Sequence, residues 1–261
     1  AWFISKIPSI EKPAEKPKKK NGFQEWADVM RFLLHEPVVL VLSLLKSGLA
    51  VAGGIMTLIP LMASQVLSKP AMLSLGIGIL YSARGLGAAL GPLLVKRLFG
   101  EAATVLHWSI AAAFFLKAIS YLFIANAESL WMLSIGVAAA TLFGSIIWVF
   151  SSALIHLSTP DHYLGRVFSF ELAIMTLVMG ISNWGVGFAV DGLGMTSSQV
   201  ALWMAALVIL PGLFWTGFLT FVRKKLQQGD CVGSVCPIDP SGFNPLPVVS
   251  KEQTKNTVQE K

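Results

Sequence analysis

The sequence predicts an all-α membrane protein with six transmembrane helices, and three observations lead to that fold class. Hydrophobic residues make up 54% of the 261 residues, and the mean hydropathy is +0.68. Charged residues make up only 13%, roughly half of the ~25% that soluble domains carry, which is too few to cover a soluble surface. Six apolar stretches are each long enough to cross roughly 30 Å of hydrocarbon as a helix.

The six predicted spans lack the amphipathic pattern of soluble core helices. Their composition therefore favours contact with lipid. They cover residues 38–67, 72–95, 104–125, 130–157, 168–190 and 200–222. Residues 38–225 are therefore assigned to one six-helix transmembrane bundle.

The segments that flank the bundle differ from it in composition. Residues 1–22 are rich in proline and lysine, which predicts a flexible cytoplasmic linker. Residues 226–261 are rich in proline, glycine and serine, which predicts a disordered cytoplasmic tail. Residues 23–37 predict an amphipathic helix in the membrane interface, because apolar side chains recur on one face at Phe23, Trp26, Met30 and Leu33. The chain begins at Ala1 without a signal-peptide pattern, and we expect it to be a piece of a longer protein.

Lysine and arginine are distributed unevenly between the two sides of the predicted bundle. The N-terminal segment, the second and fourth connections and the start of the tail hold Lys6, Lys12, Lys16, Lys18, Lys19, Lys20, Arg31, Lys96, Arg97, Arg166, Arg223, Lys224 and Lys225. The connections on the other side hold only Lys69. Because basic residues are retained on the cytoplasmic side, both termini are predicted to be cytoplasmic, in a plasma or bacterial inner membrane. The net charge of +6 follows this asymmetry and indicates no nucleic-acid partner.

Polar and small residues in the first and fourth spans recur at three- and four-residue steps, which places them along one helix face. They are Ser43, Lys46, Ala50, Gly53, Thr57, Pro60 and Ser64 in the first span, and Ser134, Thr141, Ser145, Trp148 and Ser152 in the fourth. Such side chains usually face a bundle interior or a cavity. Lys46 could instead snorkel to the interface, and the hydroxyls could serve helix packing alone. We interpret Lys46, Thr57, Thr141, Ser145 and Trp148 as cavity-lining.

Ionisable residues also occur in the second and third spans. Arg84 lies near the middle of the second span, where an arginine should be paired or hydrated, and we interpret it as functional and cavity-lining. Gly87 and Gly91 follow on roughly the same side and predict a close-packing helix face. Lys117 in the third span could snorkel outward past Tyr121.

The fifth span contains one further candidate face, formed by Thr176, Gly180, Asn183 and Gly187. We interpret Asn183 as cavity-lining. Glu171 is placed just inside the cytoplasmic end of this span, where it could occupy the first helical turn and interact with the helix dipole.

The chemistry-bearing motifs of common enzymes are absent from the sequence. It has no G-x-S-x-G, no H-E-x-x-H and no glycine-rich phosphate loop. Cys231 and Cys236 have no second Cys or His pair, so free thiols are favoured over a zinc site. Neither a metal, nor a cofactor, nor a catalytic residue is predicted.

Four segments give the chain a family resemblance over roughly residues 20–225. They are WADVMRFLLHEPVV before and in the first span, ARGLGAALGPLL at 83–94, KRLFG at 96–100 and TPDHYLGRVFS at 159–169. Together they resemble the second six-helix half of a major facilitator superfamily transporter, in the efflux-type branch that includes macrolide and enterobactin exporters. Val95 stands where the family's loop motif has an aspartate, while Lys96 and Arg97 keep its basic part.

The resemblance implies a fold, a function and partners. It implies two inverted three-helix repeats, with an N-terminal six-helix half as partner and a central site near mid-membrane. The first and fourth spans would be the family's cavity-lining seventh and tenth helices. The gating or cytoplasmic-loop regions would include Lys96, Arg97, Arg166 and Glu171. The implied function is secondary transport of a small molecule by alternating access, as proton-coupled efflux. The alternative is a self-contained six-helix membrane enzyme or scaffold.

The orientation can be tested by cysteine labelling in a background where Cys231 and Cys236 are replaced by serine. Single cysteines at Asn126 and Asp191 should react with a membrane-impermeant maleimide in intact cells, because both lie in loops predicted to be outside. A cysteine at Gln227 should react only after the cells are permeabilised. Labelling of Gln227 with protection of Asp191 in intact cells would reverse the orientation.

Overall fold

The computed structural model describes residues 22–67, 72–100 and 102–227, and within these ranges it is all-α. Six helical segments are long and apolar enough to cross a membrane. The predicted fold class is therefore confirmed, and the protein is an integral multi-pass membrane protein. Residues 1–21 and 228–261, which hold nearly all of the predicted linker and tail, lie outside the described residues.

The helices follow one another with short connections. They are α1 (Gly22–His35), α2 (Pro37–Val51), α3 (Ile55–Val66), α4 (Leu73–Phe99), α5 (Ala103–Ala125), α6 (Leu130–Ser158), α7 (Asp161–Gly187) and α8 (Ser197–Gln227). A π-helical turn, Phe188–Gly192, extends α7. The first span consists of α2 and α3 together, and each of α4 to α8 forms one further span.

Several helix ends have local causes in the sequence. Pro37 occupies the first turn of α2, where its missing N–H costs nothing. The hydroxyl of Ser129 caps α6 by accepting a hydrogen bond from the Met132 amide at 3.2 Å. Gly100, with a φ of 84°, ends α4 in a conformation that residues with a Cβ rarely adopt.

Three residues assigned to cytoplasmic loops lie in helices instead. Lys96 and Arg97 form the last turn of α4, where cations interact favourably with the helix dipole. Arg166 lies in α7, which begins at Asp161 directly after Pro160. The loop assignment was wrong because hydropathy alone defined the spans, whereas polar first and last turns continue the helices beyond the apolar stretch.

The first span is broken at Ala52–Gly54, which the sequence reading did not predict. Neighbouring helices satisfy the backbone groups that the break exposes: Ser182 donates to the Val51 carbonyl at 2.6 Å and accepts from the Gly54 amide at 3.0 Å. The Tyr121 hydroxyl donates to the Ala52 carbonyl at 3.1 Å. Backbone groups inside a bilayer need such protein partners because no lipid tail can replace them. The break is thus a feature of the whole bundle.

The first span is the most buried of the six, and α2 makes many of its contacts. Helix α2 contacts α6, α7 and α8, while α5 lies against α6 and α8. The most apolar part of the first span is 67% buried, against 17% for α4 and 11% for α7. The second and fifth spans therefore expose most of their apolar surface in the described chain.

Close packing of α4 against α6 depends on two glycines. A Cβ added at Gly87 would overlap the backbone carbonyl of Ala138, and one at Gly91 would overlap that of Leu142. The predicted close-packing face is confirmed, because the two backbones approach more closely than any side chain would permit.

A matched pair of substitutions on α4 tests this contact. We expect Gly87→Ala to destabilise the chain by about 1–3 kcal/mol, because the methyl group forces two backbones apart. Gly85→Ala should be neutral or should stabilise by up to about 1 kcal/mol, since nothing lies within 4 Å of the added methyl group. Thermal melting of purified residues 1–261 in nanodiscs measures both. Equal melting temperatures for the two variants would contradict the packing described here.

Candidate functional site

A buried ion pair joins α2 to α7. Nζ of Lys46 lies 3.0 Å from Oε2 of Glu171, and the two side chains are 5% and 2% exposed. Nζ of Lys46 also donates a hydrogen bond to Oγ of Ser152 on α6 at 2.7 Å. One ammonium group therefore connects three helices at a single level of the bundle.

Aromatic rings complete the surroundings of Lys46. Its Nζ lies 4.7 Å from the centroid of the Trp148 ring and 5.4 Å from that of Phe168. Such distances are those of cation–π attraction, which strengthens where water is excluded. On the other side of the pair, Oε1 of Glu171 is buried and has no hydrogen-bond partner among the described residues. The carboxylate is thus held by one oxygen only.

The two charges meet because their helices bring them to the same depth. Lys46 is the tenth residue of α2 and Glu171 the eleventh of α7, so each lies about 15 Å from the start of its helix at 1.5 Å per residue. The predicted position of Glu171, in the first turn or in a cytoplasmic loop, was wrong. The cause is that α7 begins seven residues before the apolar stretch from which the span was read.

A cavity of about 480 Å³ lies beside the ion pair, between α2, α3, α4, α5, α6 and α7. Its wall includes Lys46, Arg84, Lys117, Tyr121, Thr141, Ser145 and Trp148, together with Met56, Met175 and Met179. Lys46, Arg84, Thr141, Ser145 and Trp148 were all interpreted as cavity-lining from the sequence. The fold brings these five residues together.

Two other predicted residues are not part of this wall. Thr57 is exposed on α3, and its hydroxyl donates to the Gly54 carbonyl at 2.6 Å. Asn183 is half-buried on α7, but the cavity face of that helix is formed by Met175 and Met179. The predicted polar face of α7 therefore does not border this cavity, and the cavity-lining role of Asn183 stays a prediction.

The hydroxyls of the wall donate to their own helix. Thr141 donates to the Val137 carbonyl at 2.7 Å and Ser145 to the Leu142 carbonyl at 2.8 Å. Since each proton is used locally, these two oxygens can serve a ligand only as acceptors. Donors in the wall must come from other side chains.

Lys117 is a cavity residue that the sequence reading missed. It is buried, its Nζ donates to the Ala140 carbonyl at 2.9 Å, and the same atom lies 4.9 Å from the centroid of the Tyr121 ring. The expectation that Lys117 snorkels outward was wrong. Gly144 provides the space, because a Cβ there would lie 3.1 Å from Nζ of Lys117. The i, i+4 spacing of Lys117 and Tyr121 was the available signal.

The predicted gating residues other than Glu171 lie away from the cavity. Lys96 and Arg97 are exposed at the end of α4, and Arg166 is half-buried in a groove that also includes Trp26 of α1. Their gating role stays a prediction. Within the ranges that the structure describes, no three His, Cys, Asp or Glu side chains are placed to hold a metal ion.

Comparison with known proteins gives a distant relative. The chain is 28% identical over 171 residues to the enterobactin exporter EntS of Citrobacter koseri. The alignment covers 63% of this chain and 39% of that exporter, so the chain spans about two fifths of its relative's length. No family model matches the chain, and no solved structure matches it. The similarity agrees with the resemblance to exporters found in the sequence motifs.

A double-mutant cycle tests the ion pair. Lys46→Met or Glu171→Leu alone should lower the free energy of unfolding by about 3–5 kcal/mol, because each leaves one charge buried without its partner. The double variant should recover most of that loss. SDS titration of the purified protein in mixed micelles measures the three free energies.

The exposed pair of α1 provides the control. Asp28 and Arg31 lie 3.8 Å apart with side chains 28% and 73% exposed, so Arg31→Gln should cost less than about 1 kcal/mol. If the losses of the two single variants simply add in the double variant, Lys46 and Glu171 do not stabilise one another.

Proposed function

We propose that the protein is a secondary transporter that moves a small molecule across the membrane by alternating access through the cavity beside Lys46. The observation that carries this proposal is the convergence of charged, hydroxyl and aromatic side chains on one cavity inside a six-span bundle. Ionisable groups at such a depth are costly and are usually kept for a substrate or ion pathway. The similarity to an exporter supports the same function.

The described chain is proposed to be the C-terminal six-helix half of that transporter, made of two inverted three-helix repeats. Helices α4 and α7 are the least buried of the six spans, and both border the cavity. The exposed side of α7 carries a further groove of about 800 Å³, lined mainly by apolar residues from Leu172 to Trp184. A second six-helix bundle placed against α4 and α7 would close the cavity. The alignment to 39% of an exporter is consistent with a partner half.

Efflux and proton coupling are the finer parts of this proposal. Efflux rests on the similarity to an exporter. Proton coupling rests on Glu171, whose Oε2 contacts Lys46 while Oε1 has no hydrogen-bond partner among the described residues. A proton added to this carboxylate would remove the counter-charge of Lys46 and weaken the contact between α2 and α7. Proton uptake and helix movement would thereby be linked.

The proposed orientation has both termini in the cytoplasm, with α1 in the membrane interface. In α1, Val29 and Leu33 are buried against the bundle, while Trp26 and Leu34 are exposed. An exposed tryptophan beside buried aliphatic residues suits the boundary between headgroups and hydrocarbon. In this proposed orientation, α2 and α7 both start on the cytoplasmic side.

Solute release tests the transport proposal. Cells expressing the full-length gene product should release at least one small molecule that is missing from the medium of cells expressing its Lys46→Met, Glu171→Leu double variant. That variant is the appropriate control because it should fold while lacking both buried charges. Mass spectrometry of the medium, normalised to protein in the membrane fraction, measures the difference.

A second arm tests the half-transporter proposal. Residues 1–261 expressed alone should release nothing, because one side of the cavity is missing. Co-expression with the remaining half, where the gene encodes one, should restore release. Identical media for the full-length protein and the double variant would reject transport through this cavity, and release by residues 1–261 alone would reject the half-transporter proposal.

A further inference from the structure

The cavity has an excess of positive charge. Lys46 is neutralised by Glu171 at 3.0 Å, whereas Arg84 and Lys117 also line the wall. In the described part of the chain, no Asp or Glu forms an ion pair with either of these two residues. Two cations therefore face the cavity without a carboxylate beside them.

The side chains of Arg84 and Lys117 belong to the same cavity. Arg84 projects from α4 and Lys117 from α5, and both line its wall. Lys117 uses one of its three N–H groups on the Ala140 carbonyl, so two remain for a ligand. Arg84 lies over the Tyr81 ring, 5.8 Å from its centroid, and its side chain is exposed. A negative group in the cavity would meet both cations and could accept hydrogen bonds from each.

Another part of the wall is apolar and adaptable. Met56, Met175 and Met179 line it together with Trp148, whose side chain is 40% exposed. Methionine side chains adjust to ligands of irregular shape, and a volume of about 480 Å³ lies within the range of small-molecule sites. The wall thus offers a surface for an apolar body next to a place for an anionic group.

We infer that the cargo of this cavity is a small organic anion, with its negative group held by Arg84 and Lys117 and its apolar body against Trp148 and the methionines. The inference rests on the proposed transport function and specifies its substrate class. An organic cation is disfavoured because it would meet like charge at both positions. A carboxylate, a sulfonate and a phosphate ester share the chemistry that this site recognises.

Three naphthalene probes of nearly equal shape but different charge separate the effect of ligand charge on binding from the effect of ligand shape. Equilibrium dialysis is run with the full-length gene product in nanodiscs of zwitterionic lipid, with empty nanodiscs subtracted. The probes are 2-naphthoate, neutral 2-naphthalenemethanol and cationic 2-naphthylmethylammonium. We expect 2-naphthoate to bind about tenfold or more tightly than the alcohol, because only the anion gains charge-assisted hydrogen bonds from Arg84 and Lys117. The ammonium probe should bind most weakly.

Variants connect that preference to the two cations. Arg84→Gln should reduce the preference for 2-naphthoate over the alcohol about tenfold, while Arg84→Lys should retain most of it. Lys117→Gln should act like Arg84→Gln, with its melting temperature measured in parallel because Lys117 is buried. Lys224→Gln removes the same charge from an exposed position at the end of α8 and should change nothing. A preference that survives Arg84→Gln would overturn the inference.

The remaining outcomes distinguish this inference from the transport proposal. Equal binding of anion and alcohol to the wild type, together with solute release, would mean that transport stands and that a carboxylate elsewhere neutralises the two cations. Charge-selective binding without any solute release would reject transport and leave an anion-binding site. Tighter binding of the ammonium probe would also reject the anion inference.

Discussion

The arrangement of this bundle depends on the cost of two charges buried in its interior. Lys46 and Glu171 are almost inaccessible, and each is tolerable there only because the other lies 3.0 Å away. That requirement fixes α7 against α2, and the bond from Lys46 to Ser152 fixes α6 as well. The cavity lies next to this junction, and Lys46 belongs to its wall. Any movement of α7 relative to α2 must exchange the ion pair for another contact.

The break in the first span adds a second polar junction between the same helices. Ser182 of α7 bonds on both sides of the break, and Tyr121 of α5 bonds to Ala52 within it. Helix α7 is therefore held to the first span by an ion pair at one depth and by backbone hydrogen bonds further along. Since α7 is otherwise only 11% buried, few apolar contacts compete with these polar ones. Val167 and Val186 of α7 also belong to the buried core, so a change in the position of this helix would exchange apolar contacts as well as these polar ones.

The fold class and the helix-packing face could be predicted from the sequence because both arise from local composition and spacing. The lengths of the apolar stretches predicted the six spans. The four-residue step from Gly87 to Gly91 predicted a close-packing face, which in the structure contacts α6. The ion pair could not be predicted in this way. Lys46 and Glu171 are 125 residues apart, and no local pattern identifies the partner of a buried charge. The depth of Glu171 was also hidden, because the polar first turns of α7 look like a loop in hydropathy.

Two residues interpreted as cavity-lining, Thr57 and Asn183, do not border this cavity, and each case has a physical reason. Periodicity locates a face only while the helix continues unbroken, and Thr57 lies beyond the break at Ala52–Gly54. The face that includes Lys46 consequently cannot be extended to Thr57 by counting in steps of three and four. On α7 the cavity face is formed by Met175 and Met179, and methionine has no polarity that would mark it as part of a binding surface. An adaptable apolar wall beside two cations nevertheless suits an organic anion. A search for polar residues alone finds the charged residues of such a site and misses the apolar residues that contact the rest of the ligand.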